Sequence, residues 1–137
     1  MTVRVGALRP GGWLLVERMD FFPIHTAPSQ LYVDLMVGLA GVIASSGGND
    51  FGGRALPAMV AKQGLANVQA EGDFAVLNAG SPMAEFFRLS ALQVRDGIVS
   101  SGALPAAQFD AAITLLGDPG FWAFGPGGVA VRGQKPR

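Results

Sequence analysis

Residues 9–16, Arg-Pro-Gly-Gly-Trp-Leu-Leu-Val, constrain what this chain can fold into more than any other segment. Pro10 presets φ and Gly11 accepts a positive one, so the Pro-Gly pair fixes a turn. The four residues Trp13–Val16 then run on apolar without alternation. Such a run predicts a strand buried on both faces, as strands of parallel sheets are. It stops at Glu17, Arg18 and Asp20, so the charged residues fall at the C-terminal end of the strand. In open α/β sheets that end is where ligands bind.

The rest of the chain alternates helix and strand signals. After a loop with two prolines (residues 21–28), Ser29 is a candidate helix N-cap. Leu31, Leu35, Leu39 and Val42 recur at helical spacing, with Val33, Met36, Val37 and Ile43 on the other faces. A helix apolar nearly all round is buried or packs on two partners. Gly38 and Gly41 would let another backbone come close, so the Leu31–Ile43 helix is expected to offer a self-association or lid surface. Ser45 to Asp50 ends it, and Phe51-Gly52-Gly53-Arg54 leads into a second helix over 54–63. Pro57 is tolerated there only near the first turn. Gly64 suits the position just past a helix, with Leu65 packing back. Asn67–Gly72 alternates as a half-buried strand that Phe74–Leu77 continues. Ser81-Pro82 caps a helix of 19 residues ending at Gly102. Leu104-Pro105 opens another, closed by Gly117. Phe121–Phe124 and Val129–Val131 are strand material, split by Gly125-Pro126-Gly127-Gly128 as a bulge or bend. The aromatics Trp13, Phe121, Trp122 and Phe124 are expected in the core, as aromatics on strands usually are. The order points to an α/β domain of residues 1–137, with about three strands and four helices.

Composition closes off several functions. Ten Lys+Arg balance ten Asp+Glu, and the pI is about 6.5. A surface that tracks nucleic-acid phosphates needs a basic excess, so nucleic acid is excluded as a partner. There is no cysteine, hence no thiolate nucleophile and no Cys-ligated zinc, and with one histidine a multi-His metal site is out. The longest apolar run, Leu31 to Ala44, holds 14 residues and includes Asp34. That falls short of the ~20 needed to span a bilayer. Arg4 and Arg9 precede only the short run Trp13–Val16, too little for a signal core. A cytoplasmic protein is the expectation.

Leu8-Arg9-Pro10-Gly11-Gly12-Trp13-Leu14-Leu15-Val16-Glu17 resembles the turn before strand five of the class I S-adenosylmethionine-dependent methyltransferases. Gly53–Pro57 through Gly64-Leu65-Ala66-Asn67-Val68 is similar to that family's last helix running into strand six. Gly120–Gly125 through Val129–Gly133 is similar to strand seven. The paired helices between 81 and 117 resemble an insertion seen in some members. The resemblance spans nearly the whole chain but only the C-terminal half of the family's fold. It implies a partial Rossmann-like fold: a small mixed sheet ordered five, seven, six, with strand seven antiparallel in the middle. It also implies methyl transfer from adenosylmethionine to a small acceptor when the fold is complete. The cofactor half is absent here. The only Gly-x-Gly, Gly125-Pro126-Gly127, leads into strand-like Val-Ala-Val and offers no helix N-terminus to a charged ligand. The truncated chain is therefore expected to be inactive alone. Its expected partner is a second copy, as a homo-oligomer, or a complementing N-terminal half. The alternative is a non-enzymatic dimerisation module derived from the same fold, and a small-ligand pocket protein is a third.

Four residues are candidates for a site. Glu17 and Asp20 would line the substrate side of a cleft as hydrogen-bond acceptors, or else serve as a helix cap or loop contact. His25, the only histidine, has a pKa suited to a general base and is the weak catalytic candidate. Tyr32, the only tyrosine, is a substrate-lining candidate or a core residue. Glu85 and Arg88, three apart, are expected to pair on a solvated helix face.

Overall fold

The computed structural model describes residues 5–48 and 52–137. The helix-ending signal at Asn49-Asp50 and the lead-in at Phe51 lie outside the described residues. In chain order the elements are β1 (Trp13–Asp20), α1 (Gln30–Ser45), α2 (Gly52–Ala61), β2 (Ala66–Leu77), α3 (Pro82–Gln93), α4 (Arg95–Ser100), α5 (Ala106–Leu116) and β3 (Ala123–Gln134). The architecture is mixed α/β. The strands form one open sheet in the order β1-β3-β2, and neighbours are antiparallel. The last strand takes the expected central place, but an antiparallel sheet replaces the expected mixed one. Among the described residues the helices number five, because the helix expected over 81–102 resets at Val94, whose φ of −111° leaves the helical range.

The residues cluster into two compact units. The first comprises residues 5–20, 52–73 and 127–137; the second comprises residues 21–48 and 74–126.

In the first unit β1 pairs with β3 in one unbroken register, from Trp13 opposite Gln134 to Asp20 opposite Gly127. The pairing stops one residue short of Pro126, which has no N–H to give. β3 runs through Gly125–Gly128 as one strand, where two separate strand segments were expected. α2 covers one face. Leu56 and Val60 are fully buried against Leu65 and Val131, with Leu14, Val16, Val68 and Val129 packed around them. Each such burial is worth roughly 1.5–3 kcal/mol. Among the described residues, nothing in this unit covers the opposite face of β1. Trp13 is 52% and Leu15 67% exposed, so the strand expected to be buried on both faces instead alternates. Gly64 has the positive φ (72°) expected past the end of α2, and Leu65 packs back as foreseen.

Gly53 fixes how closely α2 meets β1. A Cβ there would lie 2.9 Å from the Cβ of Asp20 and 3.1 Å from the Met19 carbonyl oxygen.

The second unit is built around α1. Tyr32, Leu35, Met36, Leu39 and Ala40 are buried among Ile24, Phe87, Ile98, Leu104, Phe109 and Leu116. Leu35 and Leu39 are core and not part of any association surface on Leu31–Ile43: they are 0% and 4% exposed, because α3, α4 and α5 pack around the helix, while Val37 and Ile43 stay exposed. A Cβ at Gly38 would meet the side chains of Ile98 and Ala103, while one at Gly41 would meet nothing within 4 Å. The Ser81 cap forms as expected, its Oγ accepting from the Ala84 N–H at 3.2 Å with Pro82 in the first turn.

These two kinds of glycine give opposite outcomes. Gly53→Ala is expected to destabilise by about 1–2 kcal/mol, since backbone must shift to admit the methyl. Gly41→Ala should stabilise by up to about 1 kcal/mol through helix propensity alone. Urea unfolding of both variants checks the pair.

Candidate functional site

Alternation builds the site. On β1 the odd residues Trp13, Leu15, Glu17 and Met19 point away from α2. Opposite them on β3 stand Gln134, Arg132, Ala130 and Gly128. β2 adds Gln69, Glu71 and Asp73. The central strand carries small residues where its flanks carry long ones, so the face sinks over Gly128 and Ala130. The result is a shallow groove of about 640 Å³ bordered by Glu17, Met19, Glu71 and Asp73. A second hollow of about 440 Å³ adjoins it between Leu15, Gln69, Glu71 and Arg132. Asp73 sits close over the central strand: a Cβ at Gly128 would lie 2.7 Å from its Oδ1. Arg132 donates from Nε to Gln69 Oε1 at 2.9 Å and from Nη2 to the same oxygen. Its guanidinium lies 5.9 Å from the Trp13 ring centre, within cation–π range.

The groove therefore presents three carboxylates beside exposed apolar side chains. It can accept hydrogen bonds from hydroxyl or ammonium groups. No serine, cysteine or histidine borders it to act as a nucleophile. Among the described residues no group of three or more His, Cys, Asp or Glu is placed to hold a metal ion.

Of the residues expected from sequence, Glu17 lines this groove, exposed on the open face. Asp20 does not. It is 6% exposed and accepts from the Arg54 backbone N–H at 3.0 Å, from Nε at 2.9 Å and from Nη2 at 2.7 Å. It thus takes the structural alternative, holding the first turn of α2. His25 is exposed in a short 3-10 turn, Phe22–Thr26, of the second unit. Tyr32 belongs to the core of that unit: its hydroxyl donates to the Phe124 carbonyl at 2.7 Å and its ring packs 5.6 Å from Phe121. Burial pushes the hydroxyl above the ordinary tyrosine range.

Phe121 is buried as expected, but Trp13, Trp122 and Phe124 are not: Trp13 and Phe124 fall on the outward parity of their strands, and Trp122 stands just before β3 begins. Phe124 stacks at 4.6 Å on Phe74 instead, with Phe74 and Val76 themselves exposed. Glu85 and Arg88 pair at 2.7 Å on the surface of α3, as expected from their spacing. That contact draws the Glu85 carboxyl below its usual range.

Glu71, Asp73, Arg54 and Arg132 were not singled out by sequence. The polar residues at 69, 71 and 73 share one parity of a strand, which is the signal that could have found the first two. Nothing local ties Arg54 to a carboxylate 34 residues earlier.

Gly125-Pro126-Gly127 lies within β3, with no helix N-terminus after it to receive a charged ligand. No described helix is long and apolar enough to cross a membrane. No family model matches the chain, and no curated protein matches it.

Two outcomes follow from the buried pairings. Asp20→Ala should cost about 2 kcal/mol, since the half-exposed Arg54 head can turn to water but its backbone N–H loses its acceptor; Asp20→Asn, which keeps an acceptor oxygen, should cost less. Urea titration measures both. For Tyr32 the raised pKa means the folded chain holds the proton more tightly than the unfolded one. Its contribution is fully present below about pH 10 and is lost as pH rises further. As the only tyrosine, its phenolate absorbance should appear well above pH 10, and together with unfolding.

Proposed function

We propose that this chain is the C-terminal half of a class I S-adenosylmethionine-dependent methyltransferase fold. It would form the edge of a Rossmann-like sheet. The carrying observation is the sheet order β1-β3-β2, with the last strand antiparallel between the other two. That is the order in which the family's strands five, seven and six would stand if the Leu8–Glu17, Gly64–Val68 and Gly120–Gly133 segments are what they resemble. Gly11, with φ of 77°, makes the turn that the Pro-Gly-Gly segment calls for before β1.

In this reading the cofactor is held by residues outside these 137, and the chain alone transfers no methyl group. Its own contribution is the acceptor side. Glu17, Glu71 and Asp73 supply hydrogen-bond acceptors on the open face, where a small hydroxyl or amine compound would be oriented. Orientation is the main service a protein gives to an in-line displacement. The same reading makes the protein cytoplasmic.

A second reading, an interaction module that has kept the fold without the chemistry, is favoured by one observation. Trp13, Leu15 and Met19 are exposed together on one strand, where a soluble domain gains nothing from showing them.

Calorimetric titration of the isolated chain with adenosylmethionine tests the first reading. No specific complex is expected. A 1:1 complex in the low micromolar range would overturn the assignment of the cofactor half to residues elsewhere.

A further inference from the structure

We propose that β1 pairs antiparallel with β1 of a second copy, the two-fold axis passing through Val16. This goes beyond the family reading, in which the rest of the sheet would take the same edge of β1, and rests only on the place of β1 in the sheet of this chain. β1 is an edge strand, and among the described residues β3 is the only strand that pairs with it. Eight residues long, it contains no proline and no lysine, and its one-to-one register with β3 shows no bulge. Its charges, Glu17, Arg18 and Asp20, lie in its second half, so Trp13–Val16 is without the charges, prolines and bulges by which edge strands avoid pairing with other chains.

The occupant is argued from how β1 complements itself. Directly opposed residues in an antiparallel pair share a face, so the open face of one copy must continue into the open face of the other. That restricts the pairing to residues of like parity. An axis at Glu17 would set Glu17 against its own copy, and an axis at Arg18 would do the same with arginines. Like charges directly opposed are destabilising. An axis at Leu15 would set the apolar Trp13 against Glu17 and shorten the pairing. The axis at Val16 opposes no like charges and pairs more of the strand than an axis at Leu15. It sets Trp13 opposite Met19, twice over, burying two exposed apolar pairs in a sulfur–aromatic contact. It sets Leu15 opposite Glu17. Because Leu15 already stands opposite Arg132 on β3, the second copy's Glu17 joins the same cross-strand row as Arg132, and opposite charges share that row.

The absence of cysteine makes the test direct. Native chain in sedimentation equilibrium should show a monomer–dimer equilibrium, and Trp13→Glu should weaken it about ten-fold by putting a charge opposite Met19 and diagonal to Glu17. Single-cysteine variants then fix the register. Under mild oxidation Val16→Cys should form a disulfide dimer about ten-fold faster than Leu15→Cys or Arg18→Cys, whose partners lie too far along the strand to bridge. A mixture of Trp13→Cys and Met19→Cys, both at exposed positions, should cross-link into the mixed dimer faster than either alone. This arm decides the register even if Val16→Cys fails to fold. A native chain that stays monomeric at every concentration overturns the proposal. So does fastest trapping at Leu15→Cys or Arg18→Cys, or a mixture no faster than its parts. Adenosylmethionine titration bears on the family reading alone, so either idea can fail without the other.

Discussion

Among its described residues the first unit has a sheet with two faces and one α-helix to cover them, and most of its features follow from that shortage. α2 is ten residues long and buries Leu56 and Val60 against Leu14, Val16, Val129 and Val131. Those side chains make up one parity of each strand. The other parity meets water whatever its chemistry, which is why Trp13 and Leu15 are exposed beside Glu17 and Arg132. The groove and the carboxylates around it are products of this one-sided burial.

One-sided burial leaves the position of α2 underdetermined by apolar packing alone, and two local devices hold it. Gly52 and Gly53 remove the side chains that would keep the helix away from β1. A Cβ at Gly52 would run into the Arg18 side chain, and one at Gly53 into the backbone at Met19. Asp20, buried at the end of β1, then grips both the backbone and the guanidinium of Arg54. A carboxylate at a helix N-terminus also faces the positive end of the helix dipole. The charged end of β1 is thus divided by parity. Glu17 faces the groove, and Asp20 faces the helix.

Turns, caps and apolar spacing made the elements legible in the sequence. Pro10-Gly11, Ser81-Pro82, Gly64 and Gly117 punctuate the chain where the structure turns, and the 3.6-residue spacing of Leu35 and Leu39 marks a helix that is indeed core. Burial was legible less well. Trp13-Leu14-Leu15-Val16 looks like a doubly buried strand because apolar identity says what a residue prefers, not whether a layer exists to cover it. The same holds for Phe124, which its strand parity turns outward, and for Trp122, exposed just before β3 begins. The bond between Asp20 and Arg54 was invisible because neither residue carries a local mark of the other. Glu71 and Asp73 were legible only as the polar parity of β2, and become a site once β3 sets Glu17 beside them.

Amide hydrogen exchange tests the central claim, that β3 is the covered centre of the sheet and β1 its bare edge, most directly. β3 bonds to a strand on each side along Gly127–Gln134, so consecutive amides there should be slow. β1 bonds only to β3, so along Trp13–Asp20 slow and fast amides should alternate in dilute solution. Uniformly slow exchange along β1 at high dilution, or fast exchange at Val129–Val131, would contradict the account.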